Sequence, residues 1–170
     1  MRRGFEVLSV GVTMRDNLRE ILRLKNIGRA GWIRAGVEHP ESVAAHSWGM
    51  SMLALKLTPE HLDLVRVLSL CIVHDIPEVR VGDLTPHDDT SNKARDEHNA
   101  MIELAPEWLS LFEEYEAGQT QEAKFVKQLD KLDMALQAEN YQDDYEMSLH
   151  EFIESARQRI VDEELINLLS

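Results

Sequence analysis

The sequence predicts an all-α fold, on three grounds. Apolar residues recur at three- and four-residue intervals along most of the chain. No stretch alternates apolar and polar residues convincingly enough to read as a strand. The connections between periodic segments are short and polar, with Pro and Gly at the starts and stops that helices favour. The chain has 170 residues, 44% of them hydrophobic, which suits one domain with a real core and argues against disorder. It shows no internal repeat and no low-complexity tract.

Taken in order, the first helix is expected from Asp16 to about Lys25. Gly28 to Glu41 follows as a loop, because its glycines and Pro40 oppose regular structure. A second helix starts near Glu41 or Ser42, and Ser42 is suited to cap it. Thr58-Pro59-Glu60 is a start signal with Pro59 at the first helical position, and the third helix runs to His74-Asp75, where Pro77 ends or kinks it. Arg80 to Thr90 reads as loop and Ser91 to Leu104 as helix. Another helix spans Pro106 to Ala117 and is stopped by Gly118. Thr120 to Gln142 forms a long helix, followed by Ser148 to Arg159 and a short terminal helix near Asp162 to Leu169. Residues 1 to 13 stand apart as an N-terminal extension, with disorder the expectation. They begin with basic residues, but the apolar part is short, broken by Glu6 and without a small-residue cleavage site, so a signal peptide is not expected.

Polar residues inside the apolar stripes carry the chemistry. His46 shares a helix face with Val43, Met50, Leu53 and Leu57. His74 and Asp75 close the stripe of Leu64, Val67, Leu68 and Cys71. Asp130 sits at the edge of the face formed by Phe125, Leu129, Leu132 and Leu136, and Asp133, three residues on, competes with it. A lone carboxylate or imidazole on such a face is costly unless paired. Imidazole nitrogens and carboxylate oxygens gathered round a divalent cation would satisfy all of them and leave positions for water.

The order of a histidine, a His-Asp pair and a distant aspartate resembles the signature of the HD superfamily of metal-dependent phosphohydrolases. The text around it, GWIRAGVEHPESVAAHS, CIVHDIPEVRVGDLTPH and EAKFVKQLDKLDMALQAENY, is similar to the 5'-deoxynucleotidase branch, the HD-domain-containing protein 2-like family. The likeness covers roughly Arg15 to Tyr145. It implies a helical HD-domain bundle over residues 14 to 170 that removes phosphate from deoxynucleoside 5'-monophosphates. It also implies His46, His74, Asp75 and, through the LDKLD text, Asp130 as ligands of one divalent transition metal: manganese, cobalt, iron, nickel or zinc. Glu78 and Asp83 match positions where similar nucleotidases carry a glutamate and an aspartate that handle the attacking water, Glu78 as general acid or base and Asp83 assisting. Trp32 matches in its spacing to His46 the residue that crowds the sugar 2' position. Arg29 is a looser match for a phosphate-binding arginine, with Arg34 as its rival. The resemblance implies a homodimer as well.

Other readings are weighed by what they lack. A guanosine tetraphosphate hydrolase would place Glu-Asp after the ligand pair, whereas Val79 follows Glu78. A cyclic dinucleotide phosphodiesterase of this type should carry Gly-Tyr-Pro, and none occurs. A binding module that senses a nucleotide without turnover remains the rival of another class, and Glu78 and Asp83 argue for the enzyme. Thr85-Pro86-His87 could line the pocket. Arg95, Glu97 and His98 read as a solvated charged face, and Glu113 to Glu116 as an exposed acidic turn. Trp108, Leu109, Leu111 and Phe112 should bury in the core or in a subunit interface.

The formal net charge of -13 disfavours a broad nucleic-acid surface, which needs clustered Lys and Arg, but is compatible with a small phosphorylated substrate held by local cations. No apolar stretch approaches the ~20 residues needed to cross a bilayer. Cys71 is the only cysteine, so no internal disulfide forms, and a reducing cytoplasm is the expected compartment.

Overall fold

A computed structural model describes residues 13–85 and 87–169 as a helical assembly in which one long helix organises the rest. Ten α-helices occur among these residues: α1 (Met14–Ile21), α2 (Ala30–Ala35), α3 (Val43–Leu57), α4 (Leu64–Val73), α5 (Glu78–Val81), α6 (Lys93–Leu104), α7 (Leu109–Ala117), α8 (Gln121–Asp144), α9 (His150–Arg159) and α10 (Glu163–Ile166). The described residues contain no strand, only an isolated bridge between Gly28 and Ser42. The extension read over residues 1 to 13 lies, Thr13 apart, outside the described residues.

Helix α8 packs against α3, α4, α7 and α9, because its buried residues fall on more than one face. Phe125, Leu129 and Leu132 share a core with Met50 and Ala54 of α3 and with Val67, Leu70 and Cys71 of α4. A second cluster joins Leu24, Val43, Val73, Met101 and Phe112, so α3 and α4 bridge both cores. Trp108, Leu109 and Leu111 pack against this second cluster, which puts that apolar patch on the core side.

Several boundaries differ from the sequence reading, each for a local reason. The first helix begins at Met14, because Thr13 and Asp16 form a capping box, and it tightens into a 3-10 turn over Leu22–Asn26. The supposed loop 28–41 contains α2. Its first amide, Ala30 N–H, donates to Asp83 at 2.7 Å, and Gly36 at φ 84 ends it in the left-handed region. Thr58-Pro59-Glu60 starts no helix. Asp63 takes the amides of Val65 and Arg66, which moves the cap to the residue before Leu64.

Helix α4 stops at Val73. His74 and Asp75 lie in tight turns that lead through Pro77 into the single turn of α5, so the expected loop from Arg80 begins only after Val81. Helix α6 starts two residues later than expected, at Lys93. Pro106–Trp108 is a 3-10 turn ahead of α7, and Gly118 at φ 57 supplies the stop as expected. Thr120 caps α8, which runs to Asp144. Helices α9 and α10 are shorter than their expected spans, with Asp162 capping α10.

Candidate metal centre and active site

His46 is fully buried on α3, with an acid beside each ring nitrogen. Its Nδ1 donates to Asp133 Oδ2 at 2.7 Å, so the proton is assigned there and Nε2 is left toward the interior. Nε2 stands 3.3 Å from Asp130 Oδ1 and 3.9 Å from Asp75 Oδ2. The approach of Asp133 depends on Gly49, one helical turn after His46. A Cβ there would sit 2.2 Å from Asp133 Oδ1.

His74 caps the end of α4, and its Nδ1 donates to the Cys71 carbonyl at 2.9 Å. A carbonyl can only accept, which assigns the proton to Nδ1 and directs the lone pair of Nε2 at Asp75 Oδ2, 3.1 Å away. His46, His74 and Asp75 thus offer three donor atoms within 4.8 Å of one another. Neighbouring ligands on an ion bound at about 2.1 Å stand about 3 Å apart, so the set needs only small shifts to close on one. Asp130 reaches the group through His46, while its Oδ2 pairs with Lys131 at 2.8 Å. Asp133, the rival ligand, is placed on the opposite ring nitrogen of His46. A second acidic group, Glu41 with His46 and Asp133, gathers on that side, but Glu41 accepts a hydrogen bond from Trp32 Nε1.

Unmet hydrogen bonding distinguishes the first group. His46 Nε2, His74 Nε2, Asp75 Oδ2 and Glu78 Oε2 are buried without a hydrogen-bond partner. Leaving such atoms unpaired costs about 1–3 kcal/mol each. The electrostatics ask for positive charge at the same place. Burial and Arg29 oppose a charged His46, yet Asp130 and Asp133 prevail and lift its ring to about 9. Burial works against ionisation of Asp75 and Asp130, but neighbouring histidines, Arg29 and, for Asp130, Lys131 hold both well below the usual carboxylate range. A bound ion would supply that charge in place of the His46 proton, and two ionised acids with two imidazoles turned toward them then form a donor set that fits a divalent cation.

Glu78 opens α5 beside this cluster and is buried. Burial, reinforced by Asp75 and Asp83, pushes its carboxyl up to about 10. Asp83 spends Oδ2 on the Ala30 amide and sets Oδ1 3.7 Å from Arg29 Nη1, which also lies 3.5 Å from Asp75. Burial opposes the Arg29 charge, and Asp75 and Asp83 more than offset it. Trp32 is buried on α2, edge-on to Tyr141 at 5.3 Å and stacked obliquely on Phe152 at 4.5 Å. Arg34 instead faces Asp88 at 3.8 Å and makes no ion pair with the carboxylate cluster.

Arg29, Trp32, Arg34, His74, Asp75, Glu78, Asp83 and Asp130 line one cavity of about 1030 Å³, together with Thr85, His87, Lys93 and Glu97, whereas His46 and Asp133 stand behind its wall. At two members of this wall the structure contradicts the sequence reading. Glu97 is buried, not solvated as its charged helix suggested. Tyr115 is also buried, its ring 4.9 Å from that of His74, so Glu113 to Glu116 is not an exposed turn throughout. The signal available was helical spacing, since Ala100, Met101 and Leu104 share a face with Glu97 and Phe112 shares one with Tyr115, but the charges around them masked it.

A sequence profile of the HD domain matches residues 21–167. The chain belongs to the HD domain family. Within it, the chain is 39% identical over 165 residues to a Bos taurus protein named 5'-deoxynucleotidase HDDC2, covering 90% of this chain and 80% of that one. The crystal structure of PH0347 from Pyrococcus horikoshii superposes with a TM-score of 0.77 at 31% identity, over 92% of this chain and 90% of that one. An HD phosphohydrolase of cyanophage S-2L, DatZ, solved with dA and one catalytic zinc ion, matches with a TM-score of 0.59 at 25% identity, over 88% and 89% of the two chains. The all-α HD fold expected from the sequence is the fold observed.

Proposed function

We propose that this HD-domain protein is a metal-dependent 5'-deoxynucleotidase, hydrolysing deoxynucleoside 5'-monophosphates to deoxynucleosides and inorganic phosphate. The observation that carries the reading is the convergence of four partnerless buried atoms, on His46, His74, Asp75 and Glu78, in a chain whose bovine relative bears that activity in its name. His46, His74, Asp75 and Asp130 would hold one divalent ion, and their mixed donors suit manganese, cobalt, iron, nickel or zinc. Such an ion supplies neutralisation of phosphate charge and a lowered pKa for coordinated water.

The remaining steps belong to the chain. Glu78, protonated by its burial, gives its proton to the departing 5' oxygen as the bond from phosphorus to that oxygen breaks and the water oxygen bonds to phosphorus, and it takes back one proton of that water, which restores the acid. Arg29 stands far enough from Asp75 and Asp83 to turn its donors to phosphate oxygens. Asp83 assists by holding the Ala30 amide and with it the arginine. Trp32, fixed by Glu41, Tyr141 and Phe152, forms a rigid wall for the sugar and disfavours a 2' hydroxyl. A phosphate-release panel of deoxy and ribo monophosphates with several metals tests the reading. Release from the deoxy compounds is expected. Binding without any release would point to a sensing module, and equal rates on ribonucleotides would remove the role of Trp32.

A homodimer belongs to the same reading, and α3 and α4 offer it a face. Trp48, Met52, Leu55, Val65 and Ile72 are exposed there. Ser51 and Ser69 donate to carbonyls of their own helices, so covering the face strands no hydroxyl donor. A patch this apolar, on two helices without an acidic residue, also suits contact between copies that each carry a charge of -13. Light scattering of Trp48→Glu is expected to give half the mass of the wild type. The lone, buried Cys71 suits a reducing cytoplasm, and no helix among the described residues is long and apolar enough to cross a membrane.

A further inference from the structure

Arg29 is not the only cation in the wall beside the carboxylate cluster. Lys93 opens α6, and its Nζ stands 3.5 Å from Glu97 Oε1 one turn later. Both line the cavity that holds Arg29, Asp75 and Glu78. Glu97 is 6% exposed, so a half-exposed lysine is tethered to an acid sunk in the cavity wall.

Helix physics gives no reason for a lysine at this place. A cation in the first turn opposes the positive end of the helix dipole. A lysine four residues ahead of a glutamate is the weaker order for such a pair. Asn92 makes no side-chain cap, so the start of α6 adds the partial charge of its amides to that of the ammonium. Positions where local preference is broken by several rules at once tend to serve a site.

The site has a use for this charge. Asp75, Glu78, Asp83 and Asp130 all face the cavity, and an incoming phosphate monoester brings up to two more negative charges. Arg29 is already shared between Asp75 and Asp83. Burial opposes the Lys93 charge, yet Glu97, Glu78 and Asp75 together raise its pKa, so the ammonium is kept charged within the field of that cluster.

We propose that Lys93 binds the substrate phosphate from the α6 side while Arg29 approaches from α2, with Glu97 as the positioning residue that holds the lysine extended. The location of the phosphate rests on the nucleotidase reading above. The test compares wild type, Lys93→Met, Lys93→Arg and the double variant Lys93→Gln, Glu97→Gln in the metal-loaded protein. Readouts are the affinity for inorganic phosphate by calorimetry, kcat and KM on a deoxynucleoside monophosphate, and metal content with circular dichroism.

Lys93→Met is expected to weaken phosphate binding and raise KM by about tenfold or more, and Lys93→Arg to stay within about threefold of wild type. The double variant removes the buried charge without emptying the wall, so it should fold like wild type and still bind phosphate poorly. Wild-type phosphate affinity in Lys93→Met, or affinity regained in the double variant, overturns the proposal, because the pair would then be structural. Phosphate bound through Lys93 by a protein that releases none from deoxynucleotides would sink the nucleotidase reading and leave this site standing.

Discussion

The two halves of the candidate site are built on different plans. One rests on α3, α4 and α8, helices that share the main core and carry His46, Asp130 and Asp133, with His74 and Asp75 directly after α4. The other consists of short pieces, namely α2 with its cap Arg29, α5, residues 82–85 and 87–92 and the start of α6, which carry Arg29, Trp32, Glu78, Asp83 and Lys93. Side-chain bonds hold this second side in place: Asp83 joins its segment to α2 through the Ala30 amide, Trp32 donates to Glu41 ahead of α3, and Asp88 takes the Thr85 amide within its own turn. The contrast teaches a division of labour. On the roles proposed above, donors for an ion need placement to a fraction of an ångström, which packed helices provide, whereas substrate contacts tolerate shorter and looser supports.

That division can be broken or sharpened by substitution, beginning with the largest effect. His74→Ala, on the helical side, is expected to lose bound metal and phosphate release together, by at least about a thousandfold in rate. Metal analysis beside the activity assay checks it, and full activity would remove His74 from the ligand set. Glu78→Ala, on the short-segment side, is expected to keep its metal and lose turnover by about 10²–10⁴. Loss of metal in that variant would blur the boundary drawn here.

Smaller effects come from the supports. Gly49→Ala pushes Asp133 off the His46 ring, and metal affinity should fall by about 10–100-fold while KM at saturating metal changes little. Titration of metal into the stripped protein reads this directly. Trp32→Phe keeps the ring but removes the donor to Glu41. The preference for deoxy over ribo substrates should narrow by about tenfold or less, since pocket shape rarely discriminates more, with metal content untouched. If Trp32→Phe released metal instead, the two sides would not be separable.

Legibility followed the same line. His46, His74 and Asp75 stood out because a polar residue on a regular apolar stripe violates a period that can be counted. Asp130 and Asp133 could not be separated by counting, since both fall near one face of α8. Only the approach of Asp133 to Nδ1 and Asp130 to Nε2 of His46 tells them apart. On the short-segment side, α2 was read as loop because its support, Asp83, lies fifty-three positions away in sequence. Glu97 looked solvated because its neighbours are charged, although its own direction is inward. The start of α4 was misplaced for a lesser reason, as Pro59 and Asp63 both signal a helix start and the side chain of Asp63 took the amides.

By itself the sequence determined the helical class, the order of the longer helices, the apolar faces that form the core and the histidines set along them. These follow from periodicity and caps, which act between residues three or four positions apart. Tertiary structure alone decided which aspartate meets which ring nitrogen, where the Arg29 segment is pinned, and that Lys93 and Glu97 belong to the cavity. Those outcomes depend on contacts between distant segments, whose distances and angles no local pattern encodes.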